Sequence, residues 1–563
     1  MLHFIDFEVF HADWLCVILS PTHKTKTVIV NDRNKLKAYY EQYKNEIFVG
    51  YNIRHYDQYI FKGILIGFDP KDVNDWIIVN DRMGWQYSDL FRNINININI
   101  YDVATRQESL KKLEGFMGND IEESGVDFNI RRKLTPAEIA ETVKYCTHDV
   151  EQTIQVFIHR KADYHAHMGM LDAFKLPLSY VSKTKIQLSA AALGASMKKH
   201  NDEFDIEFPH TLQLDKYKAV QDWYSNFLNL NYDSSLDMEV AGVPHSFGWG
   251  GLHGARANYI DSGQFLNVDV ASYYPSLMIQ YGWCSRNISD PKKYEHIYQQ
   301  RLKYKAEKNP MQAPLKIVLN GTYGAMKDEF NPLYDPRQAN NVCIGGQLLL
   351  LDLIEKVEPY CDLIQSNTDG ILVKLRNNRE QVENICREWM ARTGMVLEFD
   401  EFVKVIQRDV NNYIIVAADG SYKSKGIVVK KQDRLDYDTP IINTAVTNYF
   451  VKNIPVEDTI NGCNELIQFQ KICRVSSSYN YAMHGTTKMP GKTFRVFASK
   501  ELTDGGMFKV KAGGNPEKFA NTSLNCFIVN GDVNGLTVPD KLDKEFYIGM
   551  ARRHVNQFLY GKE

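Results

Sequence analysis

Apolar and polar positions change period several times along the chain, and each change marks the edge of a strand or a helix. The opening residues, Met1-Leu-His-Phe-Ile-Asp-Phe-Glu-Val-Phe10, read as a strand in which period two puts Asp6 and Glu8 on one face. Two acids side by side are unfavourable unless a cation sits between them. Residues 47–51 form a second apolar run that leads into Asn52-Ile-Arg-His-Tyr-Asp57, after which residues 58–65 take helical spacing, so another acid arrives at a strand-to-helix turn. Residues 93–100 alternate Asn and Ile throughout and predict a strand with one apolar face and one solvated Asn face. The helix at 136 has the clearest start signal: Thr135 as N-cap, Pro136 at the first helical position and Glu138 at the capping-box position. Within it Tyr145 and Asp149 lie four residues apart and share a face.

Beyond residue 160 the pattern is helical and mixed until 237 and carries no chemistry of its own. Phe247-Gly-Trp-Gly-Gly-Leu-His-Gly254 then packs its glycines densely enough for tight turns or close backbone approach to a ligand. A buried apolar strand over 265–270 delivers Asp269 to its end and breaks into a turn closed by Pro275. Most acids at strand ends only form turns, so Asp269 needs partners before it means anything. Helical spacing over 294–308 aligns Arg301 with Lys305, and a second helix aligns Lys316, Asn320 and Tyr323; Pro310 and Pro314 break the chain between them into a short antiparallel hairpin. Two apolar runs around Asn367-Thr-Asp-Gly370 predict a β-hairpin with Asp369 at its tip. The stretch 422–431 has lysines at 423, 425, 430 and 431 and no acid, a local phosphate-binding strip, and a closing helix spans 543–559. Gly485-Thr-Thr-Lys-Met-Pro-Gly-Lys-Thr493 approaches a Walker A loop, but it has five residues between its glycines and leads into a strand-like run, so no ATPase is read from it.

Composition narrows the class without choosing a function. A chain of 563 residues with 44% apolar content holds several compact units with sizeable cores. A net charge of −3 leaves any nucleic-acid partner to local basic patches. The nine cysteines are scattered, odd in number and never spaced C-x-x-C, against both a disulfide framework and a zinc site, and in keeping with a reducing cytoplasm. The start lacks the basic and apolar regions of a signal peptide, and the apolar run 348–351 is far too short for a membrane span. The expectation is a soluble cytoplasmic monomer with no membrane partner.

Asp6, Glu8, Asp57 and Asp149 with Tyr145 suit two metal ions held by carboxylates and a hydroxyl that orients an attacking water. Asp-x-Glu at 6–8, Asn-x₃-Tyr-Asp at 52–57 and Tyr-x₃-Asp at 145–149, in this order, resemble the three motifs of the 3′–5′ proofreading exonuclease domain of family B DNA polymerases. Ser109-Leu-Lys-Lys-Leu113 looks like the segment with which small phage members hold the single-stranded 3′ end, although Lys111 and Lys112 read equally well as surface lysines. Asp269 to Pro275 resembles the family's motif A with Tyr273 where leucine is usual, Lys316 to Gly324 its motif B, and Asn367 to Gly370 its motif C with Asn367 and Gly370 replacing Asp and Ser. Gly250 and Gly251 match its Tyr-x-Gly-Gly segment, with Gly248 at the tyrosine position, and Tyr413 matches its Lys-x-Tyr, with Asn411 at the lysine position.

The resemblance implies a multi-domain α/β and α+β protein: an RNase H-like exonuclease domain (1–160), a linking region (161–237), a right-hand polymerase with its palm in two parts (238–288 and 329–431), a fingers hairpin (289–328) and a thumb (432–563). It implies that Asp269, Asp369 and the Val270 carbonyl bind two Mg²⁺ or Mn²⁺ ions, and that Asp6, Glu8, Asp57 and Asp149 bind two more. Arg301, Lys305, Lys316, Asn320 and Tyr323 would hold a dNTP, with Tyr274 under its sugar as a filter against the 2′-hydroxyl. Asn52, Tyr56, Ser109, Leu110, Gly250, Gly251, Tyr413, Lys423 and Lys425 would touch primer-template DNA or the single-stranded 3′ end. Only 47 residues separate Asp269 from Lys316 and 49 separate Asn320 from Asp369, which leaves no space for the insertions of protein-primed phage enzymes. That predicts a compact bacteriophage or mobile-element polymerase, working in the host cytoplasm without a terminal-protein primer and reliant on a clamp or other replication accessory protein for processivity. Two rivals are a stand-alone exonuclease with a DNA-binding C-terminal region and a non-catalytic single-strand-binding replication factor.

Overall fold

The computed structural model of the chain describes residues 1–89, 91, 96, 98–104, 108–503 and 505–561. It is a mixed α/β protein that divides into two compact units, each gathered from separate stretches. Met1–Lys183, Gln432–Ile441 and Asn461–Tyr547 make the first; Thr184–Lys431, Ile442–Ile460 and Ile548–Glu563 make the second.

The first unit begins with a five-stranded sheet of β1 (Leu2–Val9), β2 (Trp14–Ser20), β3 (Thr25–Val30), β4 (Ile47–Gly50) and β5 (Ile100–Asp102), in the order β3-β2-β1-β4-β5. β1 runs antiparallel to β2 and parallel to β4, which is parallel to β5, so the sheet is mixed. β1 is largely buried on both faces, and His3, Asp6 and Glu8 interrupt its apolar residues. Ile5, Phe7 and Val9 pack with Leu36 and Tyr40 of α1 (Arg33–Tyr43) and with Ile60, Phe61 and Ile64 of α2 (Asp57–Ile66). The even positions face elsewhere: the Phe4 ring meets Phe157 edge-on, and Asp6 touches Cys146. Both partners belong to α4 (Pro136–His159), which carries the anticipated Thr135–Glu138 capping box and Pro136 in its first turn. The shorter α3 (Leu110–Met117) starts at Ser109, whose hydroxyl caps the Lys112 amide.

Residues 93–100 depart from expectation. Of the described residues in this stretch, 96 and 98–100, only Ile100 is strand; 93–95 and 97 lie outside the described residues. β5 is limited by its partner, because β4 offers only Ile47–Gly50 to pair with. Nor is the Asn face simply solvated: Asn99 is buried and its amide donates to the carbonyls of Lys44 and Glu46.

The second unit is organised by a nine-stranded antiparallel sheet of β6 (Ser235–Val240), β7 (Val243–Gly248), β8 (His253–Ala255), β9 (Tyr259–Val270), β10 (Cys361–Asn367), β11 (Gly370–Leu375), β12 (Leu397–Asp409), β13 (Asn412–Val416) and β14 (Tyr422–Lys425). β9 lies between β11 and β12, and the hairpin β10–β11 turns on Thr368 and Asp369. After β9 comes α5 (Tyr273–Gln280), so Pro275 does not close a turn; it occupies the third helical position, where a missing N–H leaves no hydrogen bond unmade. α6 (Pro291–Ala306) and α7 (Gln312–Met326) pack together as the anticipated pair. Of the two prolines only Pro310 lies in the connection; Pro314 is again in a first turn. α8 (Pro336–Val357) buries the run 348–351 completely, so it is core and no membrane segment. Among the described residues no helix is long and apolar enough to cross a membrane.

The C-terminal part of the first unit holds two small sheets, from β15 (Lys471–Arg474), β18 (Thr493–Ala498) and β21 (Cys526–Ile528), and from β16 (Tyr481–His484), β17 (Thr487–Lys488), β19 (Met507–Val510) and β20 (Glu517–Lys518). The Walker-like stretch is the β16–β17 hairpin followed by β18, and no phosphate-binding helix follows its second glycine. A final helix, α9 (Lys544–Tyr560), stands where 543–559 was expected. All nine cysteines are free.

Candidate active sites

In the first unit, β1, α2 and α4 bring Asp6, Glu8, Asp57 and Asp149 into one electrostatic cluster. Burial pushes the Asp6 carboxyl up to about 7, with the negative charge of Asp149 adding to it. Burial likewise raises Asp149 to about 6 and Glu8 and Asp57 well above the ordinary carboxylate range. Asp57 is fixed by the Phe7 amide, 3.3 Å from its Oδ1. Tyr145 hydrogen-bonds Asp149, and burial holds its hydroxyl protonated. Four hard-oxygen donors that burial and mutual repulsion make poor lone ions fit divalent cations such as Mg²⁺.

Lys111 is no ordinary surface lysine. Its side chain is 12% exposed, its ammonium contacts Asp149 and lies 3.2 Å from Glu114 Oε1, and it sits 4.6 Å over the Tyr145 ring. Ser109 and Leu110 are the cap and first residue of the same helix, α3, at the edge of the cluster. Asn52 and Tyr56 flank the turn before α2: Asn52 takes a left-handed φ of 61° with its amide on Asp102 Oδ1, and the Tyr56 hydroxyl donates to Asn74 Oδ1 at 2.8 Å. Asp102, which also accepts from the Arg54 amide, is thus the residue that shapes the loop delivering Asp57.

Arg495 of β18 holds α3 from its other end. The side chain is fully buried, and its partners are oxygens without formal charge: Gly115 O at 3.3 Å, Asn119 O at 2.6 Å, Val529 O, Gly531 O and the Gln470 amide oxygen at 3.0 Å. Gln470 in turn donates to Phe116 O at 3.1 Å. Carbonyls left over at a helix C-terminus need donors, and Arg495 and Gln470 supply them. β15 approaches so closely that a Cβ at Gly115 would stand 2.9 Å from Ile472 Cδ1. Arg495→Met removes the donors but leaves the acceptors buried, so the free energy of unfolding is expected to fall by about 3 kcal/mol. A lowered urea midpoint measures this.

The second unit presents a cleft of about 520 Å³. Asp269 of β9 stands between Gly370 of β11 and Glu398 of β12 in register, and the Val270 amide donates to Asp369 O at 2.7 Å. A side chain at 370 would not fit: its Cβ would lie 2.1 Å from Asp269 Oδ1 and 2.8 Å from Val268 O. Burial, then the charge of Asp369, raises the Asp269 carboxyl to about 6, and Asn267 Nδ2 donates to its Oδ2 at 2.6 Å. Asn367 fixes the hairpin tip by accepting from the Thr368 amide at 3.0 Å.

Arg301, Lys305, Lys316 and Asn320 line the same cleft together with Val270 and Tyr274. Arg301 donates to Ser272 Oγ at 2.6 Å, while its buried Nε has no partner. Ser272 is held left-handed at φ 51°, a strained conformation for serine at the mouth of the cleft. Lys305 lies 3.2 Å from Glu398. Tyr323 stays behind the cleft and packs on Tyr274, ring centroids 4.3 Å apart. An orphaned guanidinium nitrogen beside two ammonium groups suits a polyphosphate. The oxygens of Asp269, Asp369 and Val270 suit Mg²⁺.

The remaining sequence-predicted residues lie around this cleft. Gly251 borders the hairpin tip, a Cβ there meeting Thr368 Oγ1 at 2.9 Å, and Gly250 O accepts from Gln347 and Cys343. Tyr413 pairs with Lys425 across β13 and β14, and Lys423 is bound to Asp400 at 2.7 Å. Asn267, Ser272 and Glu398 escaped the sequence reading. Asn267 shares a strand face with Asp269, a signal that period two contains; Glu398 comes from a register between strands 129 residues apart, which no local pattern reveals.

No family model matches the chain. Over 198 residues, 34% of this chain and 21% of the relative, it is 26% identical to DNA polymerase 1 of Saccharolobus solfataricus. Over 199 residues it is 24% identical to DNA polymerase 1 of Sulfurisphaera ohwakuensis, covering 22% of that protein. The chain is similar to archaeal DNA polymerases. The similarity spans about a fifth of these relatives' length. The family B DNA polymerase of Pyrobaculum calidifontis aligns with 99% of this chain and 78% of its own at 13% identity and a TM-score of 0.42, too distant for residue-by-residue comparison.

Proposed function

We propose that the chain is a family B DNA polymerase that extends a primer on a template and removes mispaired 3′ ends at a separate exonuclease site. One observation carries the reading: a single cleft collects Asp269, Asp369, Tyr274, Arg301, Lys305, Lys316 and Asn320 from four stretches of sequence, acids and cations together. In the first unit Asp6, Glu8, Asp57 and Asp149 would hold the metals of the exonuclease, and in the second Asp269, Asp369 and the Val270 carbonyl those of the polymerase. When bound, Mg²⁺ would neutralise phosphate oxygens and make the attacking hydroxyl or water a better nucleophile.

The chain's own groups do the rest. Arg301, Lys305 and Lys316 hold the triphosphate and take up charge on the departing pyrophosphate, with Arg301 using the nitrogen that otherwise lacks a partner. Lys305 reaches the substrate by exchanging Glu398 for phosphate, an exposed and weak pairing to give up. Tyr274, braced by Tyr323, lies under the sugar. Tyr413, Lys423, Lys425, Gly250 and Gly251 lie along the primer-template, and Asn52, Tyr56, Ser109 and Leu110 along the frayed 3′ end. In the exonuclease Tyr145 orients water, and Lys111 holds Asp149 until metal arrives. The spacing of the motifs supports a compact phage-type enzyme without a protein primer.

The test is a labelled primer-template with Mg²⁺. Extension with dNTPs and shortening without them are expected, and a chain that shortens but never extends is the stand-alone nuclease instead. A binding protein would do neither. Tyr274→Val should raise ribonucleotide incorporation by about tenfold or more, since the ring excludes one hydroxyl sterically. Unchanged discrimination, read as the ratio of kcat/KM for dNTP and rNTP, removes Tyr274 from that role.

A further inference from the structure

We propose that His3, His23 and Glu46 form a binding site for one zinc-class divalent cation, apart from the acidic cluster of the exonuclease site. The three come from separate segments: His3 from β1, His23 from the turn between β2 and β3, and Glu46 from the residue before β4. Their ligand atoms all lie within 4.8 Å of one another. Both imidazoles aim Nε2 at Glu46 Oε2, from 2.7 Å for His3 and 3.6 Å for His23. Two imidazoles and one carboxylate are a donor set for Zn²⁺ or Co²⁺, whereas Mg²⁺ prefers oxygen alone.

A second observation points the same way. His23 Nε2 is buried without a hydrogen-bond partner, although it faces a carboxylate. Buried polar atoms are rarely left unmatched, and a cation between the two would satisfy both. Tyr39 completes the arrangement, its hydroxyl 2.7 Å from His3 Nδ1. In the metal-free cluster His3 Nε2 donates to Glu46 Oε2; with an ion bound, the tautomer that donates Nδ1–H to the Tyr39 oxygen would leave the Nε2 lone pair for the metal.

Metal entry requires a small opening. Ligands at 2.0–2.1 Å around a tetrahedral ion stand about 3.3 Å apart, so the 2.7 Å contact between His3 and Glu46 must widen. Glu46, with its side chain 19% exposed, is the one able to move, and it must also release the Met1 amino group 3.8 Å away. The bound ion would tie the start of β1 to the β2–β3 turn and to β4, pinning the register Leu2↔Ile47 and His3↔Phe48 in the sheet that carries Asp6 and Glu8.

The test uses the full chain, stripped with a chelator and titrated with Co²⁺ by visible absorption and with Zn²⁺ by calorimetry. Wild type and Asp149→Ala are expected to bind one tight equivalent with the intense bands of a low-coordinate nitrogen-oxygen site. His23→Ala should weaken it by about tenfold or more, and Glu46→Gln, which preserves the hydrogen bond but not the charge, should do the same. Zn²⁺ should raise the melting temperature of wild type and Asp149→Ala but not of His23→Ala. His23 lies in a partly exposed turn, so unchanged circular dichroism and primer extension verify that this variant folds. Binding that survives His23→Ala, binding lost in Asp149→Ala, or no tight binding to wild type overturns the proposal; the last would make the cluster a hydrogen-bonded one only.

Discussion

Asp369→Ala is expected to abolish primer extension, by about three orders of magnitude or more, while 3′ degradation continues at the wild-type rate. Asp369 sits at the tip of a two-residue turn, its backbone fixed by the Val270 amide and its neighbour Asn367 capping Thr368. The alanine variant therefore keeps the hairpin and loses only the carboxylate. What disappears is the acid at the hairpin tip that shares the cleft with Asp269, and with it negative charge that makes the cleft attractive to cations. Losing a preorganised charged group from the reacting centre is worth about 10²–10³ in rate even when it only stabilises charge, and more when it also holds a metal. Removal of Asp369 also relieves Asp269, whose carboxyl should titrate nearer its ordinary value. Single-turnover extension and degradation, measured on one preparation, give the answer. If extension persists, the hairpin acid is a turn former and the cleft works by other groups.

The contrast between the two sites shows what a sequence makes legible. Asp6 with Glu8, Tyr145 with Asp149, and Lys316 with Asn320 are pairs within one strand or helix, so their periods place them on common faces without knowledge of the fold. The cap at Thr135 and the turn at Thr368 are equally local. Residues whose meaning depends on distant partners stayed hidden. For Lys111 the sequence leaves a 3′-end-holding segment and a surface lysine equally open, because the position of α3 is set by Gln470 and Arg495, more than 350 residues later. At 98 and 99 the Asn-Ile alternation does not become strand for a related reason: period two states a preference, but a strand also needs an edge to pair with, and β4 is only four residues long. His3 carries no local signal of its own, since Glu46 and His23 reach it only once β1, the β2–β3 turn and the start of β4 are folded together.

Asp6→Ala combined with Glu8→Ala should remove 3′ degradation, leave extension intact, and, in EDTA, raise the melting temperature of the chain. The last outcome follows from the sign of the carboxyl shifts. Asp6 titrates near 7 in the folded protein against 3.8 unfolded, raised by burial and by Asp149, and burial raises Glu8 in the same direction. A carboxyl whose folded pKa is raised binds its proton more tightly in the folded state. Its ionisation therefore opposes folding above the folded pKa, and that opposition fades as pH falls toward the unfolded value. The two alanines abolish the opposition at every pH, so their advantage over wild type should be largest near pH 8 and shrink toward pH 5. Added Mg²⁺ should reverse the order, because cation binding stabilises the folded wild type by mass action and the variant has lost that site. Melting curves of both proteins at pH 8 and pH 5, with EDTA and with Mg²⁺, decide the matter. An advantage that is equal at the two pH values, or absent, would mean that other contacts already compensate the buried acids, and that the cluster is built to be stable without metal.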